Sequence, residues 1–296
     1  PTATPKMAAS PLDIVLEIKN DNLFQVMGLA LDQQGNMYVV QNRNGSDPRI
    51  HKFDPAGNLV TSWGSLGEGD GEFKFPALYQ GGGGLAVDDE GNVYVSDGGN
   101  ARVQKFDSNG KFLLKWGTAG EDDGQFGSPF GLAVSSQGFV YVSEYGRNVV
   151  QKFDTNGTFL GKWGDTQAAG TPLALAGFLG VDVAGNLYIP MYAMQKIQKL
   201  DPDGQMLAEF LGKPINSRPP APYGVAVDED GNIYITEADG NRMVKFDENG
   251  AILNYWGGQG AKGEQFDKPM GIAVDDDGYI YVADYANRRI LKLRQP

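Results

Sequence analysis

The stretch GLAVDDEGNVYVSDGGNARVQKFDSNGKFLLKWG, residues 84–117, carries the signals that decide the fold of this chain. It contains four short runs rich in Val, Leu, Tyr and Phe, and Gly, Asn and Asp separate one run from the next. Runs of this length with such boundaries are typical of β-strands joined by tight turns. Gly91 and Gly110 lie where a short hairpin turn needs a left-handed backbone. The stretch therefore predicts a sheet of four antiparallel strands.

The same pattern repeats along the whole chain with a period near 47 residues. Pairs of Phe-Asp or Leu-Asp begin at residues 53, 106, 153, 200 and 246, so their spacings are 53, 47, 47 and 46. Six copies of an apolar segment open the units: GLALD (28–32), GLAVD (84–88), GLAVS (131–135), FLGVD (178–182), GVAVD (224–228) and GIAVD (271–275). A fixed period of this length indicates a propeller or solenoid, and helical periodicity is missing. Six units of four strands predict an all-β fold, the six-bladed β-propeller.

The two ends of the chain predict how the ring of blades closes. The sixth unit stops at Leu293, after its third strand, and lacks the fourth strand that residues 251–257 supply in the fifth unit. The segment LDIVLEI, residues 12–18, forms a strand before the first unit. We expect it to complete the last blade, because this closure removes the open strand edges that promote aggregation. A single propeller then spans residues 11–296, and residues 1–10 form a linker.

Composition and charge exclude several classes of chemistry. Cysteine is absent and His51 is the only histidine, so neither a disulfide framework nor a multi-histidine metal site can form. Glycine makes up 42 of the 296 residues, about twice the usual share of roughly 7%. With 25 basic and 37 acidic residues, the net charge of −12 argues against nucleic acid as a partner. No apolar run approaches the roughly 20 residues of a membrane-spanning helix.

The start of the chain, PTATP, is typical of extended linkers that follow a signal peptide or lipid anchor in bacterial surface proteins. A cut made when a fragment is expressed would give the same start. We expect the chain to be the extracytoplasmic part of a longer secreted or cell-surface protein.

Two segments of the chain resemble the NHL repeat, whose name records Asn, His and Leu. They are DGGNARVQKFD, residues 97–107, and DYANRRILKL, residues 284–293, and the linker DGQFGSPFGLAV, residues 123–134, is similarly typical. The resemblance covers nearly the whole chain and implies a six-bladed propeller. Two units depart from the pattern, since Arg147 replaces the motif Asn in the third unit and Met191 replaces the motif Asp in the fourth. Their loops are expected to differ from those of the other blades.

Propellers that resemble this chain include binding modules of surface receptors, RNA-binding ubiquitin-ligase subunits and several enzymes. The resemblance to gluconolactonase-like hydrolases implies Asn and Asp ligands for a divalent metal at the P-x-G positions. Here those positions hold Phe130, Tyr223 and Met270, and such a ring cannot replace oxygen ligands. Streptogramin lyases and peptide-amidating lyases need more histidine than His51, which we expect to be packed or solvated. An RNA-binding propeller would need a basic face, and a repeat protein assembled for its architecture would need no ligand.

The direction of the strands sorts the loops of the propeller onto two faces. The tight D-x-x-G turns share one face. The longer loops, such as residues 64–83, share the other, which we call the long-loop face. An aromatic and thioether surface with one cation is expected there, formed by Met27, Phe130, Tyr145, Arg147, Met191, Tyr192, Tyr223, Met270 and Tyr285. Arg147 is out of register with the motif arginines and is expected to be freer to meet a ligand. Ordinary loop packing is the alternative.

A possible acidic ring stands at the ends of the second strands: Asp97, Glu144, Glu237 and Asp284. Each carboxylate is expected to cap its own loop by accepting backbone N–H groups. The alternatives are that the set binds a cation or a basic ligand group near the channel mouth, or that Glu144 and Glu237 act as an acid and a base. Gln41 and Met191 hold the same position in the other two units.

These observations predict a non-catalytic module that binds a protein, a peptide or a small amphipathic ligand on its long-loop face. We expect a monomer without a cofactor, although weak Ca²⁺ binding is open for the acidic turns at residues 88–91, 228–231 and 275–278. A metal-dependent lactonase with its site at the channel mouth is the alternative function.

Overall fold

The fold is described from a computed structural model of the chain, which covers residues 11–19, 23–76, 83–147, 149–164, 177–211 and 221–295. The predicted linker at residues 1–10 lies outside the described residues. Nothing helical in these ranges has the length and apolarity that crossing a bilayer requires. The strands are β1 (Asp13–Ile18), β2 (Val26–Leu31), β3 (Met37–Asn42), β4 (Pro48–Phe53), β5 (Leu59–Trp63), β6 (Leu85–Val87), β7 (Val93–Asp97), β8 (Arg102–Phe106), β9 (Phe112–Trp116), β10 (Pro129–Val134), β11 (Phe139–Glu144), β12 (Val150–Asp154), β13 (Phe159–Trp163), β14 (Gly180–Val181), β15 (Leu187–Met191), β16 (Lys196–Leu200), β17 (Met206–Leu211), β18 (Gly224–Val227), β19 (Ile233–Glu237), β20 (Arg242–Phe246), β21 (Ile252–Gly257), β22 (Pro269–Val274), β23 (Ile280–Asp284) and β24 (Arg289–Arg294).

The strands form six four-stranded antiparallel sheets, which are the blades of a propeller. Blades 1 to 5 are β2–β5, β6–β9, β10–β13, β14–β17 and β18–β21 in chain order. Blade 6 combines β22, β23 and β24 with β1, whose Ile14 and Ile18 pair with Leu293 and Ile290 of β24. The predicted fold class is confirmed, including closure of the ring by the segment at residues 12–18.

The inner strand of each blade approaches the next blade so closely that only glycine fits. A Cβ atom on Gly131 would lie 2.2 Å from the carbonyl oxygen of Gly177, and one on Gly84 would lie 1.9 Å from that of Phe130. The same contact recurs between Gly28 and Gly83, Gly177 and Tyr223, Gly224 and Met270, and Gly271 and Met27. The last contact returns to blade 1, so the six contacts form a closed cycle.

The aromatic residue that ends an outer strand packs on a turn glycine of the following blade. A Cβ atom on Gly110 would lie 2.5 Å from the Trp63 ring. At Gly57 the neighbouring side chains are instead Leu16 and Ile18 of the closing strand. The contact recurs for Trp116 with Gly157, Trp163 with Gly204, and Phe210 with Gly250. All five turn glycines have φ between 81° and 87°, which confirms the predicted left-handed turns. The close contact with a side chain of the preceding blade is a second reason why these positions need glycine.

A triad of Asp, Tyr and Lys recurs beside the first turn of most blades. In blade 2, the Tyr94 hydroxyl donates to Asp88 at 2.9 Å, and Lys105 Nζ lies 3.8 Å from the same carboxylate. Blade 3 departs from this pattern because Ser135 takes the place of the aspartate. The hydroxyl of Tyr141 is buried there without a hydrogen-bond partner in the described ranges, and burial raises the pKa of Tyr141 to about 12.

Replacing Ser135 with Asp should stabilise the protein by roughly 1–2 kcal/mol, because the new carboxylate would accept the Tyr141 hydroxyl and face Lys152. The gain is measured as the change in urea-unfolding free energy at pH 7. The control is to make Ser135→Asp in a Tyr141→Phe protein, which lacks the hydroxyl. If Ser135→Asp stabilises that protein as much as it stabilises the wild type, the explanation is wrong.

Replacing Gly131 with Ala should destabilise the ring by about 3 kcal/mol, because the new methyl group meets the backbone carbonyl of Gly177 and cannot push it aside cheaply. Gly278→Ala is the matched control, since its φ is +77° but nothing lies within 4 Å of the added Cβ atom. The control should lose only about 1–2 kcal/mol, the cost of a left-handed backbone. Equal losses in urea unfolding for the two variants would show that the contact between blades is unimportant.

Candidate functional site

The side chains predicted to form a ligand surface do come together on the long-loop face, as a packed cluster. Its members include five predicted residues that are only 0 to 6% exposed: Met27, Phe130, Tyr223, Met270 and Tyr285. Phe130 stacks on Phe178, with ring centroids 4.9 Å apart, and meets Tyr223 edge to face at 6.0 Å. Tyr145 and Tyr192 pack against this cluster and stay partly exposed. In the described part of the chain, apolar packing therefore fills the place where a concave surface was expected.

Two details of this central cluster differ from the sequence prediction. Met191 lies in another core cluster, together with Tyr141 and Leu187, and is completely buried. Phe178 and Ala238 belong to the central cluster although neither was among the nine predicted residues. Phe178 stands where the other units carry the first inner-strand glycine, and this departure in the FLGVD segment was the available signal.

The four carboxylates of the acidic ring are 0 to 2% exposed and cap loops, as expected. One oxygen of each accepts a backbone N–H at 2.5 to 2.8 Å, from Lys74 to Asp97, Gly127 to Glu144, Ala221 to Glu237 and Asp267 to Asp284. The other oxygen accepts an Arg or Gln side chain: Arg102, Gln151, Arg242 and Arg289 in the same order. Both oxygens of each of these four carboxylates therefore already accept a hydrogen bond from the protein.

Arg102 and Arg289, which hold two of these carboxylates, also reach into the loop that precedes their blade. Arg102 donates to the backbone carbonyls of Glu68, Gly69 and Glu72 at 2.7 to 2.8 Å. Burial raises the pKa of Asp97, and the hydrogen bonds from Asn100 and Arg102 oppose that shift. The loops before blades 2 and 6 are therefore each fastened to the blade that follows by a buried ion pair.

Arg147 was expected to be freer than the motif arginines, and this expectation was wrong. Its guanidinium donates to the Gly120 carbonyl at 2.5 Å and lies 3.0 Å from Glu121 and 3.5 Å from Glu144. In blade 2, the Asn100 amide makes the equivalent bond to the carbonyl of Gly67. Arg147 therefore replaces the motif Asn in fastening the loop, because its longer side chain reaches the same carbonyl.

His51 is buried between two polar side chains. Its Nδ1 lies 2.7 Å from Ser62 Oγ and its Nε2 lies 3.2 Å from Gln41 Oε1. Burial, with a smaller contribution from Arg49, lowers the pKa of His51 to about 4. His51 is therefore a packed residue of blade 1, as expected. Within the described ranges, no group of three or more His, Asp or Glu residues is placed to hold a metal ion.

The edge of the long-loop face between blades 6 and 1 holds three residues that the sequence analysis did not single out. Arg43 lies over the Phe24 ring, 4.2 Å from its centroid, and Arg288 lies over the same ring at 5.1 Å. The feature of the sequence that could have drawn attention to this edge is Gln41, a neutral residue at the position where four other units carry an acid. We call these three residues the arginine pair site.

The six four-stranded sheets and the closed cycle of contacts between their inner strands define the class of protein, which is a six-bladed β-propeller. The family model of the NHL repeat matches residues 83–106 and 266–293, in blades 2 and 6. Two blades of this six-bladed β-propeller thus match the NHL repeat.

The curated relatives match a limited part of the chain. Human NHL repeat-containing protein 3 is 30% identical over 97 residues, which cover 32% of this chain and 26% of the relative. The mouse protein of the same name is 31% identical over the same length. The matched segment thus spans about a quarter of these relatives.

Solved structures share the fold over nearly the whole chain. A gluconolactonase from Xanthomonas campestris superposes with a TM-score of 0.66 at 15% identity, covering 98% of this chain and 96% of that chain. A catalytically inactive virginiamycin B lyase from Staphylococcus aureus, solved with quinupristin, has a TM-score of 0.63 at 15% identity and coverage of 95% and 99%. At such identities the likeness concerns the fold alone.

The buried state of His51 predicts a distinct pH dependence of stability. Because its folded-state pKa of about 4 lies below the roughly 6.5 of an exposed histidine, the unfolded chain takes up a proton first as pH falls. The stabilising contribution of neutral His51 is complete above pH 6.5 and is lost between pH 6.5 and 4. His51→Gln should therefore show a weaker loss of unfolding free energy between pH 6.5 and 5 than the wild type.

The same prediction can be checked by NMR, since the resonances of the only histidine need no further assignment. A titration midpoint near 4 is expected for the imidazole C–H signals of the folded protein. A midpoint near 6.5 would show that His51 is not desolvated as described.

Proposed function

We propose that this propeller is a non-catalytic binding module that holds a protein or peptide on its long-loop face. The observation that carries the proposal is the packing of Met27, Phe130, Phe178, Tyr223 and Met270 into one buried cluster at the centre of that face. A ligand there would meet the partly exposed Tyr145 and Tyr192 and the surrounding loops instead of a deep pocket. Rigid aromatic residues surrounded by polar loops suit the recognition of peptides and proteins.

The alternative function, a metal-dependent lactonase, draws on the fold likeness to the gluconolactonase. A divalent metal needs several free oxygen ligands. At the P-x-G positions, Phe130 and Met270 have no side-chain oxygen, and Tyr223 packs its ring into the central cluster. The carboxylates of the acidic ring already accept backbone N–H groups and an Arg or Gln side chain. The described residues therefore do not fit such a metal, and the binding module is preferred.

The extracytoplasmic location expected from residues 1–10 is part of this proposal and rests on the sequence alone. Monomeric behaviour is likewise proposed from the sequence.

The proposal predicts that peptides selected from a displayed random library against the whole chain will bind the long-loop face. Tyr145→Ser and Tyr192→Ser should each weaken the selected peptides at least tenfold, because truncating an aromatic anchor typically costs over 1.4 kcal/mol. Binding is measured by fluorescence anisotropy. Tyr279→Ser is the matched control, since Tyr279 is a partly exposed tyrosine beside the first turn of blade 6 and packs against Lys292.

Two outcomes would count against the binding module. One is enrichment of peptides that are indifferent to Tyr145 and Tyr192 but lost in Tyr279→Ser. The other is hydrolysis of glucono-1,5-lactone above the uncatalysed rate that depends on Ca²⁺, Mg²⁺ or Zn²⁺ and is abolished by EDTA, which would support the lactonase.

A further inference from the structure

The arginine pair site stands out because its two cations contact an aromatic ring and form no ion pair with a residue that the structure describes. Among the arginines of the described ranges, six make a hydrogen bond or ion pair through their side chains: Arg49, Arg102, Arg147, Arg242, Arg289 and Arg294. The guanidinium groups of Arg43 and Arg288 make neither with any described residue, and both are exposed. Each lies against the Phe24 ring instead. Two like charges thus lie against one aromatic ring.

The framework around Phe24 is fixed by hydrogen bonds. The Phe24 N–H donates to Gln41 Oε1 at 2.9 Å. The next residue, Gln25, forms a reciprocal pair with Asn44, donating through Nε2 at 2.8 Å and accepting the Asn44 N–H at 2.9 Å. These bonds tie the Phe24 segment to the loop that carries Arg43. The aromatic floor and the first arginine are therefore positioned before any ligand arrives, which lowers the entropy cost of binding.

The second arginine occupies a position that the backbone does not favour for arginine. Arg288 has φ of +53°, and its N–H donates to the Tyr285 carbonyl at 3.2 Å. In blade 5 the equivalent residue is Asn241, with φ of +51°. Asparagine tolerates the left-handed region better than arginine does. The turn itself therefore gives no reason for arginine at this position, whereas its guanidinium lies on the Phe24 ring.

The local charge favours an anion at this place in a protein whose net charge is −12. Blade 1 has Gln41 where four of the other five blades carry a carboxylate, so that position brings no negative charge next to Phe24. In blade 6, the carboxylate of Asp284 is already matched by Arg289 at 2.8 Å. A singly charged group is favoured over a phosphate or a polyanion, because the repulsion from the acidic protein as a whole grows with the charge of the ligand.

We propose that the arginine pair site binds a carboxylate group of a peptide ligand, its C-terminus or an acidic side chain. The guanidinium carbons of Arg43 and Arg288 lie 4.2 and 5.1 Å from the same ring centroid, so the distance between them cannot exceed the sum of these two distances. One carboxylate can bridge such a span by accepting hydrogen bonds from both arginines. The inference rests on the proposed function and adds the chemistry of the group that is recognised.

The test follows the arginine side-chain Nε–Hε signals of the whole chain by ¹⁵N NMR, with Arg43→Gln and Arg288→Asn used for assignment. The probe is N-acetyl-Ala-Ala with a free C-terminal carboxylate, compared with its C-terminal amide and with inorganic phosphate. We expect saturable shifts of the Arg43 and Arg288 signals in the millimolar range with the carboxylate. The affinity should fall at least tenfold in either variant and in the amide, and phosphate should bind more weakly.

Arg294→Gln is the matched control, because Arg294 also lies over an aromatic ring, that of Tyr279 at 5.3 Å, outside the site. It should leave the carboxylate affinity unchanged. Arg288→Asn is expected to keep the fold, since asparagine occurs at the equivalent turn of blade 5. An unchanged melting temperature with lost binding would separate recognition from structure.

The proposal would be overturned by the absence of a saturable shift at the two arginines, by equal shifts with the amide, or by tighter binding of phosphate. Asp21 is the nearest acid before Phe24 in the sequence and lies outside the described residues. If Asp21→Asn alone moves both signals and the carboxylate does not, the arginines serve an internal ion pair. Library-selected peptides that bind wild type and the two arginine variants equally would refute this site while leaving the binding module intact.

Discussion

The structure depends on the close approach of six inner strands, which is possible only because each carries a glycine against a backbone carbonyl of the next blade. The contacts are made by backbone atoms, so the distance between neighbouring inner strands is set by the backbone. Ser96 and Ser143 strengthen the arrangement by donating to the same carbonyls, those of Phe130 and Gly177. Since the contact from Gly271 returns to Met27, the six blades share one closed constraint, and β1 completes it at the periphery.

This constraint determines what the long-loop face can offer. The residues next to the inner glycines converge at the centre, where Phe130, Tyr223 and Met270 fill the space with their own side chains. The acidic ring and the motif arginines form buried ion pairs that fasten the loops between blades. A buried carboxylate that accepts a backbone N–H and an arginine is costly to remove from its partners. Among the described residues of this face, the side chains that stay accessible to a ligand include the partly exposed tyrosines and the arginine pair site at the edge between blades 6 and 1.

The sequence predicted the fold well because its signals are local and repeated. Turn glycines such as Gly110, the Phe-Asp pairs and the missing fourth strand of the last unit each have one simple structural explanation. Side-chain partners were harder to predict. Arg147 was predicted to meet a ligand because it is out of register. Its side chain is longer than that of the motif Asn, however, and it reaches the carbonyl of Gly120. Phe24, Arg43 and Arg288 come from three separate loops, and no spacing in the sequence reveals that they meet.

In the described part of the chain, the carboxylates of the acidic ring serve the loops through their N–H and side-chain partners, and we propose that they bind no metal. A crystal structure of the whole chain grown with Mn²⁺, with anomalous data collected near the manganese edge, tests whether these carboxylates bind a metal. We predict that Asp97, Glu144, Glu237 and Asp284 keep their N–H and side-chain partners, with no anomalous peak at the channel mouth. A peak coordinated by two or more of these carboxylates, rotated away from those partners, would contradict the account.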